Sequence, residues 1–113
     1  MAEGIRPIRL KYEDGTEYVL EFNSETVKAA ERAGFKMTEA MDKPMTMIPL
    51  LFFYAFKMHH PTMRQDKAYQ ILHDDLGGIN ETIQERLVDL YLAPINELAG
   101  GEAPKNPHLA VEM

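Results

Sequence analysis

The stretch Met47-Ile48-Pro49-Leu50-Leu51-Phe52-Phe53-Tyr54-Ala55-Phe56 is an unbroken apolar run of ten residues. A helix at a protein surface has one apolar stripe, whereas a helix built from this run is apolar on every side. Ten residues are about half of the ~20 that a helix needs to cross a bilayer. The run therefore predicts a helix buried in protein, either at the centre of the core or with one side against another chain.

Proline and histidine residues delimit this helix. Pro44 and Thr46 precede the run, and Pro49 is tolerated in a first helical turn. Lys57-Met58-His59-His60 follows the run, and Pro61 ends the helix because it cannot continue the hydrogen-bonding pattern.

Residues 5–22 alternate apolar and polar side chains on both sides of Glu13-Asp14-Gly15, a pattern that predicts a β-hairpin. With Gly15 at the left-handed position of a three-residue loop, Leu10 pairs with Tyr18, and Lys11 lies opposite Glu17. A two-residue turn would set Tyr12 opposite Glu17 and mix the two faces. The hydrophobic pattern therefore selects the three-residue loop.

Three further helices are predicted from their capping residues. Asn23 caps a helix that runs to about Ala33 and stops at Gly34. Residues 62–65 form a capping-box pattern for a helix to about Asp75, which Gly77-Gly78 terminates. Asn80 caps the last helix, in which Pro94 either introduces a kink or ends the helix near Ala93.

These elements predict an α+β fold, mainly α, with an N-terminal β-hairpin followed by about four helices around a central apolar helix. At 113 residues the chain has room for one domain, which we expect to span residues 1–99, with the hairpin at 5–22 and the helical part at 23–99. Residues 100–113 begin Gly-Gly-Glu-Ala-Pro, a linker composition, and predict a mobile tail.

The charge and composition exclude several functions. A net charge of −6 disfavours nucleic acid and anionic membranes, because the 12 basic residues are scattered among 18 acids. The absence of cysteine excludes disulfides and thiol chemistry. Of the eight methionines, six lie between Met37 and Met63. Methionine fills gaps in a core and also suits surfaces that accept varied apolar partners, and both interpretations stay open.

No pattern of catalytic residues is found, so we expect a protein that is not an enzyme and has no cofactor. His59 and His60 are adjacent on a helix and point about 100° apart, so the two cannot easily share one metal ion. His73 could contribute a third ligand from the following helix, but no carboxylate lies at a recognisable ligand spacing. Neighbouring acids such as Asp74 and Asp75 diverge in the same way. Histidines at a helix C-terminus also have an ordinary structural role beside the exposed carbonyls.

The order of elements resembles that of the small tail assembly chaperones of long-tailed, siphovirus-type bacteriophages and prophages. The resemblance covers about residues 5–99 and rests on the hairpin, on the Asn23-capped helix with Glu31-Arg32-Ala33-Gly34-Phe35, on residues 49–56 with His59-His60-Pro61, on Asp74-Asp75-Leu76-Gly77-Gly78, and on the amphipathic helix that contains Tyr91.

This resemblance implies a protein of viral morphogenesis that acts in the host cytoplasm and is missing from the mature virion. Such chaperones bind the apolar tape-measure protein, help to recruit tail-tube protein subunits around it, and self-associate. In many relatives a programmed frameshift adds a C-terminal extension. An alternative function is a structural virion protein, such as a head–tail connector or tail-completion component.

The candidate protein-binding residues follow from the apolar run itself. A helix that is apolar on every side can offer one face to a partner. The candidates are Phe52, Phe53, Tyr54, Phe56 and Met58. The alternative interpretation places the same side chains in the core.

Overall fold

The N-terminal hairpin has the register that the sequence predicts. In the computed structural model, which describes residues 6–99, strands β1 (Ile8–Lys11) and β2 (Glu17–Leu20) pair antiparallel. Leu10 lies opposite Tyr18, and Lys11 lies opposite Glu17. Gly15 adopts φ +97°, the left-handed conformation that the loop requires. The three-residue loop is therefore confirmed. Residue 5, the predicted start of the hairpin, lies outside the described residues.

Helix α1 (Ser24–Arg32) begins and ends where its capping residues predict. The Asn23 Oδ1 atom accepts a hydrogen bond from the Thr26 backbone N–H at 2.9 Å, and the Thr26 hydroxyl oxygen accepts one from the Asn23 N–H at 2.9 Å. Gly34 follows the helix at φ +106°. Val27 and Ala30 face the core, so one side of this short helix is buried.

Helix α2 (Pro44–Ala55) follows a single 3-10 turn at Met37–Glu39 and contains most of the apolar run. It packs against α1 and against the two helices that follow it, so its position in the fold is central. Pro44 occupies the first turn. Pro49 lies in the second turn, and its predicted place in the first turn is wrong because the helix begins at Pro44.

The C-terminal end of α2 covers the outer edge of β2. The Glu21 N–H donates to the Ala55 carbonyl at 2.9 Å, and the Val19 N–H donates to His60 Nε2 at 2.9 Å. The rings of Tyr18 and Phe56 pack edge to face with centroids 5.6 Å apart. The backbone N–H groups at this strand edge are therefore paired, one with a helix carbonyl and one with an imidazole nitrogen.

The segment after Pro61 differs from the sequence prediction at its start. Helix α3 (Gln65–Gln70) begins after Arg64, whose side chain makes no capping hydrogen bond, and the chain continues as a π-helical segment, Ile71–Asp75. The predicted capping box at residues 62–65 is wrong, because residues 61–62 form a turn and the helix starts only at Gln65. The predicted end at Asp75 is confirmed.

Helix α4 (Glu81–Ala99) is capped by Asn80, whose side-chain oxygen accepts from the Ile83 N–H at 2.8 Å. The helix continues through Pro94, so of the two predicted outcomes it does not end near Ala93. The Tyr91 ring packs edge to face against Phe22 and Phe35, with centroids 5.4 and 4.9 Å apart. These aromatic contacts join α4 to the chain on both sides of α1.

One cluster of buried apolar residues draws on both strands and all four helices. The fold is α+β, mainly α, with an N-terminal hairpin and four helices, as the sequence predicts. The predicted tail at residues 100–113 lies outside the described residues.

Candidate functional site

Three of the five candidate binding residues lie in the core of the chain. Phe52 and Phe56 have no exposed surface, and Phe53 is 7% exposed. The reason is that α2 is surrounded by α1, α3, α4 and the hairpin, so its apolar sides are covered within one subunit. Phe53 is also covered by Lys57, whose ammonium group lies 4.7 Å from the centre of the ring. These three side chains stabilise the fold and do not form a surface.

The other two candidates are more accessible. Tyr54 is half-buried, and Met58 is 37% exposed. Both lie toward the C-terminal end of α2, which the hairpin partly covers through His60. This end of the helix therefore offers little continuous apolar surface.

A groove with an apolar lining lies at the opposite, N-terminal end of α2. It is formed by α2, by the π-helical segment and by the chain that enters α4, and its volume is about 280 Å³. The groove is lined chiefly by Met45, Ile48, Pro49, Leu72, Ile79 and Gln84. We refer to it as the α2 groove.

Two exposed methionines lie at this end of α2. Met45 lines the α2 groove and is 85% exposed. Met41 lies four residues earlier in the chain, before the helix begins, and is 84% exposed. A flexible, polarizable side chain that is left in water adapts to apolar partners of different shape. The sequence reasoning missed these two residues, although the count of six methionines between Met37 and Met63 was the signal that could have found them.

Pro49 gives the α2 groove a polar feature. Proline has no N–H, so the helical hydrogen bond from residue 49 to the Met45 carbonyl cannot form. Both residues line the groove. The Met45 carbonyl therefore lacks its helical donor.

The π-helical segment forms the opposite wall. The Leu76 N–H donates to the Ile71 carbonyl at 2.9 Å, five residues back, and the Gly78 N–H donates to the Leu72 carbonyl at 2.8 Å. Such a wide turn is costly relative to an α-helix and is frequent at functional sites. Here it brings Leu72 and His73 to the groove before Gly78 turns the chain toward α4.

The histidine pair has a structural role in this fold. His60 accepts from the Val19 N–H, and His59 Nε2 lies 2.8 Å from the Glu21 carboxylate, so both rings attach the hairpin to the end of α2. His73 lies on the wall of the α2 groove. Within residues 6–99, no group of three or more His, Asp or Glu side chains is placed to hold a metal ion.

Three titratable groups with shifted pKa values lie at packing contacts. Burial, followed by the proximity of His59, lowers the pKa of His60. Burial and a hydrogen bond to the Asp75 carboxylate raise the pKa of Tyr12 to about 12, and burial raises the pKa of Tyr91. The Tyr12–Asp75 contact ties the hairpin to the π-helical segment. Each of these shifts has a structural cause.

Among the described residues, none of the helices combines the length and the apolar character needed to cross a membrane. No curated protein and no solved structure matches the chain. A family model described as a domain of unknown function (DUF5055) matches residues 1–113, which is the whole of the sequence. The chain therefore belongs to the DUF5055 family.

Proposed function

We propose that this protein is a tail assembly chaperone of a long-tailed bacteriophage or prophage, and that it binds the apolar tape-measure protein through the α2 groove. In this function it is not an enzyme, acts in the host cytoplasm and helps to recruit tail-tube subunits around its client. The order of elements supports the proposal through the resemblance described above. The observation that carries it is the highly exposed Met45 in the lining of an apolar groove, with a second exposed methionine, Met41, four residues earlier in the chain.

A chaperone of this kind must offer apolar surface to its client and still remain in solution. The formal charge of −6 favours solubility, while the exposed methionines supply apolar contact area. An apolar helix of the client would lie across the mouth of the α2 groove and insert side chains between Ile48 and Ile79. Such a mode needs no catalytic group and no cofactor.

The test is co-expression with the tape-measure gene from the same locus. We expect the client to stay soluble and to elute in a complex with this protein. Met45→Glu places a charge at the groove and should remove the client from the complex. Leu98→Glu is the matched control, because Leu98 is 87% exposed at the far end of α4 and outside the groove. It should leave the complex intact.

Two results would contradict the proposal. The first is that the tape-measure protein remains insoluble and no complex elutes. The second is that mass spectrometry of purified particles finds this protein at a fixed copy number, which is the behaviour of a connector or tail-completion component and not of a chaperone.

A further inference from the structure

We infer that the α2 groove selects an amphipathic helix that carries a Lys or Arg beside its apolar stripe. The groove combines an apolar floor with a carbonyl that lacks its helical donor, and acidic side chains lie near it. This inference rests on the proposed function and specifies the chemistry of the partner. It is carried by three features of the groove: its size, the Met45 carbonyl, and the charges around it.

The size and lining of the groove suit apolar side chains. Its volume of about 280 Å³ is close to the lower limit of the roughly 300–1,000 Å³ of typical ligand pockets. The apolar floor of Ile48, Leu72 and Ile79 has room for a few aliphatic side chains from a helix lying across the mouth. The groove therefore fits the client helix of the proposed function, with its apolar stripe anchored by side chains.

The Met45 carbonyl favours a hydrogen-bond donor at the edge of that stripe. Pro49 removes the N–H that would bond to this oxygen, and both residues line the groove. Covering the carbonyl with an apolar group alone would leave a desolvated acceptor, at a cost of about 1–3 kcal/mol. A long side chain that ends in a donor avoids this cost, and Lys and Arg are donors without an acceptor.

The charges near the groove favour a cation among such donors. Asp42 precedes α2 by two residues, Asp74 follows His73 of the groove wall, and Glu81 is one helical turn before Gln84 and shares its face. Each of these acids is exposed, and none has an ion-pair partner within residues 6–99.

Two opposing contributions are smaller. The ammonium groups of Lys36 and Lys43 lie 3.8 and 3.9 Å from the single carboxylate of Glu39, so these three side chains together leave one positive charge. The N-termini of α2 and α4 each contribute about +0.5 elementary charge, and all the positive contributions together remain smaller than the charge of the three carboxylates. The electrostatic environment of the groove is therefore acidic, and an anionic flank on a partner helix is disfavoured.

The experiment uses three synthetic peptides, each of 18 residues or roughly five helical turns. All three have the same leucine stripe, and the two positions beside it are Lys, Gln or Glu. Binding to the full chain is measured by fluorescence anisotropy at about 0.05 M and about 0.5 M salt, since surface electrostatics weaken with ionic strength. We expect the Lys peptide to bind about three- to tenfold more tightly than the Gln peptide at low salt, the Glu peptide to bind most weakly, and the differences to shrink at high salt.

Variants locate the effect on the protein. Asp74→Asn with Glu81→Gln should reduce the affinity for the Lys peptide about three- to tenfold and leave the Gln peptide unchanged. The matched control, Glu13→Gln with Glu25→Gln, changes the net charge by the same amount at the hairpin turn and on α1. It should leave the affinity for each peptide unchanged. Equal binding of the Lys and Gln peptides, or equal losses in the two double variants, would overturn the inference.

The proposed function fails in a different way. The Gln peptide reports the apolar groove alone, and Met45→Glu should abolish its binding. If the Gln peptide binds and responds to Met45→Glu while the Lys peptide has no advantage, the chaperone proposal stands and the inference about charge is wrong. If Met45→Glu changes the binding of no peptide, the α2 groove is not the binding site, and both are wrong.

Discussion

The His60 ring closes the outer edge of β2. Its Nε2 atom accepts the Val19 N–H at 2.9 Å, so this nitrogen carries no proton while the contact exists. The ring also packs edge to face against Tyr18 and Phe56, with centroids 5.2 and 6.2 Å apart. Burial and the proximity of His59 lower the pKa of His60 below its ordinary value. The neutral ring is therefore the form that the fold stabilises.

This contact predicts a pH dependence of stability. Because the folded-state pKa of His60 is lower than that of the unfolded chain, the unfolded state binds the proton more readily. The free-energy contribution of His60 is complete above about pH 6.5 and declines as the pH falls below that value. Urea unfolding across this range should show a decline in the wild type that is smaller in His60→Gln, whose amide oxygen accepts the Val19 N–H without titrating.

A control variant separates His60 from other acid-side effects. His73→Gln removes an exposed imidazole at the groove wall and should retain the decline of the wild type. If His60→Gln and the wild type lose stability in parallel, the contact with Val19 does not control the pH dependence.

Gly15 provides a test of the hairpin loop. Its φ is +97°, and a Cβ atom built at this position meets nothing within 4 Å, so the cost of a side chain is conformational and not steric crowding by neighbours. Gly15→Ala should lower the free energy of unfolding by about 1–2 kcal/mol. Gly15→Asn should cost less, because asparagine tolerates positive φ. Equal losses for the two variants in urea unfolding would contradict this explanation.

At the scale of elements, Pro49 makes α2 less stable than its packing allows. An internal proline removes one helical hydrogen bond and costs roughly 3 kcal/mol relative to alanine. Pro49→Ala restores the bond to the Met45 carbonyl and should raise the free energy of unfolding by about 1–3 kcal/mol, the lower values reflecting lost contacts of the half-buried ring. Thermal and urea unfolding measure the change.

The matched control for this variant is Pro44→Ala. Pro44 is in the first turn, where its missing N–H has no helical partner, so its replacement should change stability little. If neither variant stabilises the protein, the lower entropy of the unfolded chain with Pro49 offsets the missing bond.

Capping residues and alternation predicted most of the elements, and the start of α3 is the main difference. The hairpin register followed from alternation and from Gly15, and the start of α1 followed from Asn23, because these choices are decided within a few residues. The residues after Pro61 also carry a capping pattern, but there the Lys57 ammonium group contacts the carbonyls of Pro61 and Met63 at 3.4 Å, and the helix begins later. These contacts span only four and six residues, but they depend on the conformation of the Lys57 side chain, which a capping pattern does not specify.

For the whole molecule, the sequence does not determine which side of an apolar helix faces water. The run of residues 47–56 correctly predicted a central helix, but its pattern is apolar all round and cannot distinguish core from surface. Two of the most exposed apolar side chains among residues 6–99, Met41 and Met45, lie before the core of the run. The groove that Met45 lines depends on Leu72 and Ile79, which are distant in sequence, so only the folded chain brings the candidate site together.

This division between core and surface predicts how two large side chains of the α2 region respond to truncation. Phe52 is fully buried and packs edge to face on Phe56 at 5.2 Å, so Phe52→Ala should lower the free energy of unfolding by about 3–5 kcal/mol. Met58 is 37% exposed, and Met58→Ala should cost less than about 1 kcal/mol. Urea unfolding measures both losses.

Phe52→Ala and Met45→Glu together separate folding from the proposed client binding. A loss of about 3–5 kcal/mol is a large part of the ~5–15 kcal/mol that stabilises a domain, so Phe52→Ala should weaken client binding only to the extent that it unfolds the chain. Met45→Glu should abolish binding while the unfolding midpoint stays near that of the wild type, because Met45 is 85% exposed. If Phe52→Ala remains folded in circular dichroism and still fails to bind, the client reaches the aromatic core, and the binding surface extends beyond the α2 groove.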